Sequence, residues 1–141
     1  MTMTQEQKDL LLKGLCARLP YGVKARIYNH WRDEFQEETI TIENLHQLIE
    51  TFSIEDIKPY LFPLSSMNEE QKKEFLSVAG YETREEDCGR HTEIYYYDMV
   101  GHEHNFYPNS EAIDWLDKNH LDYRGLIEKG LAIDATNLNI Y

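Results

Sequence analysis

Two imidazoles flank one carboxylate at His102-Glu103-His104. Side chains at i and i+2 of a strand share a face, so both rings can approach one cation. Further ligands would have to come from elsewhere, with His91 and Glu93 on a paired strand as the nearest sources. The chain lacks HExxH, CxxC and the spaced histidine–acid patterns of zinc hydrolases. His102 and His104 are therefore weak candidate metal ligands, and two solvated histidines beside a turn account for the same string.

Other chemistries find less support. Among 26 acidic residues, some carboxylates fall together by chance, and only burial or a like-charge neighbour would tune one for acid–base work. Ser65 and Ser66 lie in LSSM without the G-x-S-x-G context of an activated serine, and helix capping accounts for them. The seven glycines form neither G-x-G-x-x-G nor a Walker pattern. No cofactor is implied. The aromatic cluster Tyr95-Tyr96-Tyr97, with Phe106 and Tyr107, has strand composition. Alternation turns at least one tyrosine outward, which makes Tyr95, Tyr97 and Tyr107 candidate interface residues. Arg124, in LDYRGLIEKG, is a candidate anion anchor, but the negative field around it favours a docking role with a nearby acid such as Asp122, or a carbonyl.

Charge narrows the partners. The net charge is −12; residues 1–32 carry +4, leaving −16 on the remainder, and residues 33–57 hold eight acids with no lysine or arginine. Such a surface repels phosphate backbones, which argues against direct nucleic-acid binding. No run approaches a membrane span, and the N-terminus lacks the basic region and apolar stretch of a signal peptide, so a cytoplasmic location is expected. Two cysteines fit that compartment: Cys16 reads as a small core hydrophobe among leucines, and Cys88 follows three acids that oppose thiolate formation.

The elements that must position these residues follow from periodicity. Thr4 and Gln7 have capping-box spacing ahead of a helix over 5–18 with a stripe of Leu11, Leu12, Leu15, Cys16 and Leu19; Pro20 ends it by pushing its predecessor out of the helical region. Residues 22–29 alternate as a half-buried strand, and 38–42 form a second after an acidic turn. Leu45, Leu48, Ile49 and Phe52 mark a short amphipathic helix. Pro59 and Pro63 keep 57–64 extended, as a strap over the core. Asn68 with Gln71, or Ser66 with Glu69, caps a helix whose inner face is Gln71, Phe75, Val78 and Ala79, closed by Gly80. An acidic loop, 81–90, separates possible halves 1–80 and 91–141; two strands around Gly101 and a helix burying Ile113 and Leu116, with Trp115 at its border, follow. Leu121 and Tyr123 are expected to face inward and Asp122 outward, with Gly130 as a left-handed cap before Leu131–Ile133 enters the core.

Three strings, LCARLPYGVK (15–24), IEDIKPYLFPLSSMNEEQKKEF (54–75) and AIDWLDKNHLDYRGLIEKGLAI (112–133), resemble a set of small uncharacterised proteins from gut Bacteroidales, often encoded in phage-derived or other mobile regions. They cover about two-fifths of the chain. The resemblance implies a shared scaffold with variable inserts, favours a mobile-element role, and carries no activity or site. The expectation is one α+β domain with a small, mainly antiparallel sheet and about four helices. As function, we expect a non-enzymatic accessory or protein-binding module that recognises a protein partner through segments 29–53 and 81–107. The alternatives are an acidic mimic that occupies a nucleic-acid-binding protein, and a small metal-dependent enzyme using His102 and His104.

Overall fold

The computed structural model describes residues 3–78 and 110–141. Helix α1 (Gln5–Arg18) opens with the expected capping box. The Gln7 amide N–H donates to Thr4 Oγ1 (3.2 Å), and the Thr4 N–H donates to Gln7 Oε1 (3.0 Å). The buried stripe is Leu11, Gly14, Leu15 and Arg18, at i, i+3, i+4 and i+7. It is rotated from the leucine stripe read in the sequence, so Leu12 and Cys16 face solvent and the thiol is not a core hydrophobe. Gly14 is small because a Cβ there would meet Leu126 Cδ1 at 2.9 Å. Leu19 remains helical (φ −55°, ψ −41°) despite preceding Pro20, and the chain tightens into a 3-10 turn, Leu19–Tyr21, instead of turning extended at once.

Strand β1 (Val23–Asn29) buries Val23, Ala25, Ile27 and Asn29 and shows Lys24, Arg26 and Tyr28 on the other face. Strand β2 (Glu34–Ile40) pairs with it antiparallel along its whole length, from Val23 opposite Ile40 to Asn29 opposite Glu34. The second strand thus starts earlier than the 38–42 expected and stops before Ile42. The turn is shorter than the acidic run suggests, because Asp33 takes a left-handed φ of 52° and reverses the chain at once. Helix α2 (Leu45–Thr51) follows.

Strand β3 (Ile57–Pro63) corrects the strap: it is extended, but it lies inside the sheet. Ile57–Pro59 pairs antiparallel with β1; Tyr60–Leu61 and Phe62–Pro63 pair parallel with β5 (Ile133–Asp134) and β4 (Leu121–Asp122). The order is β2-β1-β3-β4, with β5 also on β3. Pro59, which has no N–H, stands opposite Ala25 where the β1–β3 ladder ends. The sheet is mixed, antiparallel in its long pairings and parallel in its two short ones.

Helix α3 (Glu69–Val78) is capped reciprocally by Asn68 and Gln71, at 2.8 and 3.0 Å. Ser66 Oγ donates instead to the Pro63 carbonyl. Helix α4 (Ser110–Lys118) buries Ala112, Trp115 and Leu116. Trp115 is interior, not bordering, and Ile113 is only partly covered, because α3 lies over the indole: Trp115 Nε1 donates to Glu74 (3.0 Å) and its ring is 5.5 Å from Phe75.

Two apolar clusters result. One gathers α1, β1, Ile40, Phe52, Ile57, Leu61 and the stretch Leu126–Ala132; the other gathers Leu64, Met67, Phe75, Trp115, Leu116 and Leu121. Adjacent β3 residues serve both, Leu61 in the first and Phe62 against the second, as period-two alternation requires. The described residues form one small α+β domain with four helices and five strands. No helix among them is long and apolar enough to cross a membrane.

Candidate functional site

Where the two clusters meet, the structure buries charge. Arg18, 1% exposed, donates to the carbonyls of Gly14 (3.1 Å) and Leu121 (2.6 Å) and lies 3.9 Å from the Asp117 carboxylate. Burial outweighs pairing on both sides: it lowers the Arg18 pKa and raises that of Asp117, with their mutual attraction opposing each shift. Tyr123 donates to Asp117 at 2.9 Å, and burial pushes its phenol up to about 12. Arg124 lies 3.7 Å from Asp117, donates to the Tyr123 hydroxyl at 2.5 Å and stacks over its ring. Arg124 is therefore engaged internally with Asp117 and Tyr123, not with Asp122. Asp122, expected to face outward, is buried, and its carboxylate accepts the N–H groups of Leu126 (2.9 Å) and Ile127 (2.8 Å). It caps the turn that Gly130 closes with a φ of +74°. This network ties the two clusters together through Arg18 and Asp117.

A different surface forms at the β1–β2 hairpin. Buried Asn29 accepts the N–H groups of Trp31 (3.0 Å) and Arg32 (3.2 Å) on Oδ1 and donates Nδ2 to Gln36 (3.0 Å), fixing the turn. His30 Nε2 bonds Asp56 at 2.9 Å. The fixed turn presents Trp31, 74% exposed, edge-on to Phe52. Phe35, 59% exposed, packs against Tyr28 and under the Arg26 guanidinium, 4.4 Å from its ring. Ile42 is 69% exposed just beyond. Between them run Asp33, Glu34, Glu37 and Glu38, and β2 pairs with β1 alone among the described residues.

A cleft of about 380 Å³ lies on the second cluster, between β3, α3 and α4. Phe62 and Leu121 supply apolar wall, and Ser66, Gln71, Lys118, Asn119, Thr136 and His120 supply polar groups, with Tyr141 closing one side. His120 has a left-handed φ of 58°, and its ring stacks on Tyr141 at 3.8 Å and 12°. Burial first, then the charges of Arg18 and Lys24, lower its pKa to about 4. Its Nδ1 is shielded from solvent and has no hydrogen-bond partner among the described residues. Tyr141 is held in turn: its hydroxyl accepts the Lys24 N–H (2.9 Å) and donates to the Tyr60 carbonyl (2.9 Å).

Of the residues singled out in the sequence, Tyr95, Tyr97, Tyr107, His102 and His104 lie outside the described residues, as do the strands and loop assigned to them and Cys88. No group of three or more potential metal ligands occurs among the described residues. Sequence reasoning passed over His120, Tyr141 and Trp31. The one available signal for His120 was its place just past a helix end, where left-handed backbone is common. Comparison with protein-family models, with curated proteins and with solved structures finds no match.

Proposed function

We propose that the protein is a binding module that docks an extended, basic segment of a partner protein along the β2 edge. The observation that supports this reading is an edge strand lined with carboxylates, between the exposed Trp31, Phe35 and Ile42, on a hairpin tied down by Asn29 and His30. Large exposed aromatics supply contact area, and a preformed turn lowers the ordering cost of association. Carboxylates on an edge oppose pairing between like copies. They attract a strand carrying lysine or arginine, which adds main-chain hydrogen bonds along the edge.

Selection from a displayed random-peptide library tests the reading. Enriched peptides should alternate basic and apolar residues, protect β2 amides from hydrogen exchange, and lose affinity to Phe35→Ala. Peptides without basic bias, or binding unchanged in Phe35→Ala and Trp31→Ala, would refute it.

A further inference from the structure

The cleft beside His120 belongs to neither the buried charge network nor the hairpin, and its chemistry is distinct from both. The chain as a whole carries −12, yet no carboxylate lines this cleft among the described residues, and one cation, Lys118, does. Lys118 makes no ion pair with any described residue. Two further cations lie behind the wall. Lys24 Nζ sits 5.7 Å over the Tyr141 ring, its ammonium held by the Ile140 carbonyl at 2.7 Å, and Arg18 donates to the carbonyl of Leu121. The nearest acids are occupied: Asp117 faces Arg18, Arg124 and Tyr123, and Asp134 accepts from the Thr136 N–H and hydroxyl.

His120 gives the cleft direction. Its backbone is in the left-handed region, which histidine adopts more readily than most residues and which is common just past a helix end. The ring is neutral at physiological pH, so one nitrogen is a donor and the other an acceptor. Nδ1 is shielded and unpaired. Unpaired buried N–H groups are rarer in proteins than unpaired acceptors, which favours the tautomer with the proton on Nε2. Nε2 is then the donor of the ring, and the cleft that His120 lines is also lined by Gln71 and by Lys118, an exposed residue at the end of α4. Ser66 Oγ and Thr136 Oγ1 already donate within the protein and are left as acceptors.

We propose that this cleft binds a small organic carboxylate bearing at least one hydroxyl. The carboxylate meets Lys118 and the imidazole donor, the hydroxyl meets Ser66, Thr136 or the Asn119 carbonyl oxygen, and the carbon skeleton lies on Phe62 and Leu121. The volume suits a compact ligand. A dianion as strongly hydrated as phosphate is a poor match for one ammonium among neutral groups.

The test is a titration of the full chain at constant ionic strength, followed by NMR of the His120 ring and the Thr136 amide. The probes are sodium lactate and sodium glycerate, with lactamide and inorganic phosphate as comparators. Saturable shifts are expected with at least one of the two hydroxycarboxylates, with weaker or no shifts for lactamide and phosphate. Lys118→Ala should weaken binding at least about tenfold, or 1.4 kcal/mol. Lys129→Ala, on the remote turn at Gly130, should leave it unchanged. Both variants should retain the backbone spectrum of the parent. Absence of saturation with both hydroxycarboxylates, equal response to lactamide, or equal loss in Lys129→Ala would each overturn the proposal.

Discussion

The hairpin and the His120 cleft are opposites built on the same sheet. At the hairpin, rings are turned out to solvent amid acids that no described element covers, and the backbone beneath them is fixed by Asn29. At the cleft, rings are stacked inward, no acid among the described residues lines the wall, and cations lie on or behind it. Net charge describes neither. A chain at −12 places four acids along the hairpin edge and, among the described residues, none in the wall of the cleft. The ligands proposed for them accordingly differ in sign and size: a long cationic chain at the hairpin and a short anion at the cleft.

The largest test of this contrast removes what lies between the two apolar clusters. Arg18→Met leaves Asp117 with Arg124 and Tyr123 alone and frees the Gly14 and Leu121 carbonyls, and should cost about 3 kcal/mol in urea unfolding. The double variant Arg18→Met/Asp117→Leu should lose less than the sum of its single variants, because the pair is coupled. Next, Trp31→Ala and Phe35→Ala should each lower affinity for a selected basic peptide by about 2 kcal/mol while moving stability by less than about 0.5 kcal/mol, measured by calorimetry and thermal melts. Equal losses of binding and stability would mean that the exposed rings are structural. Charge reversal at Glu37 should slow association and flatten its salt dependence while changing dissociation little, read by stopped-flow at two ionic strengths. Tyr60, which donates to Glu37 at 3.0 Å, would lose that contact in the same variant.

The smallest effect is a pH dependence confined to the cleft. His120 titrates at about 4 when folded and at 6.5 ordinarily. Between those values the unfolded chain binds a proton that the native state refuses. Its contribution is complete above pH 6.5 and declines as pH falls toward 4. The slope stays below about 1.4 kcal/mol per pH unit, since the ring is partly exposed. His120→Gln should flatten that part of the stability profile and leave hairpin binding intact.

Local rules carried much of the fold into the sequence. The Thr4–Gln7 and Asn68–Gln71 caps, the alternation of Val23, Ala25 and Ile27, and the left-handed Gly130 depend on neighbours a few positions away, and all stand in the structure. What escaped depends on partners far along the chain. Arg18 looks like an ordinary basic residue at a helix end, and only Leu121, 103 positions away, turns it inward and rotates the stripe of α1. Asp122 looks like the outward residue between two apolar ones, but the orphan N–H groups of the next turn draw it in. A strand with two prolines reads as an edge or a strap, and its central place follows from β4 and β5 arriving in parallel much later. The candidate surfaces were legible only in part. The acidic span 29–53 reads as a candidate recognition region from charge alone, whereas the exposure of Trp31 and the cleft cannot be read there, because exposure and stacking are tertiary properties.

The Tyr141 phenol does the work of a rung. Beyond Ala25 and Pro59 the β1–β3 ladder stops, and one hydroxyl then spans from the Lys24 N–H to the Tyr60 carbonyl. That residue is 117 positions downstream of Lys24. The seam therefore stays open on a ribosome until synthesis has reached Tyr141, and closing so long a loop makes it a late step in folding.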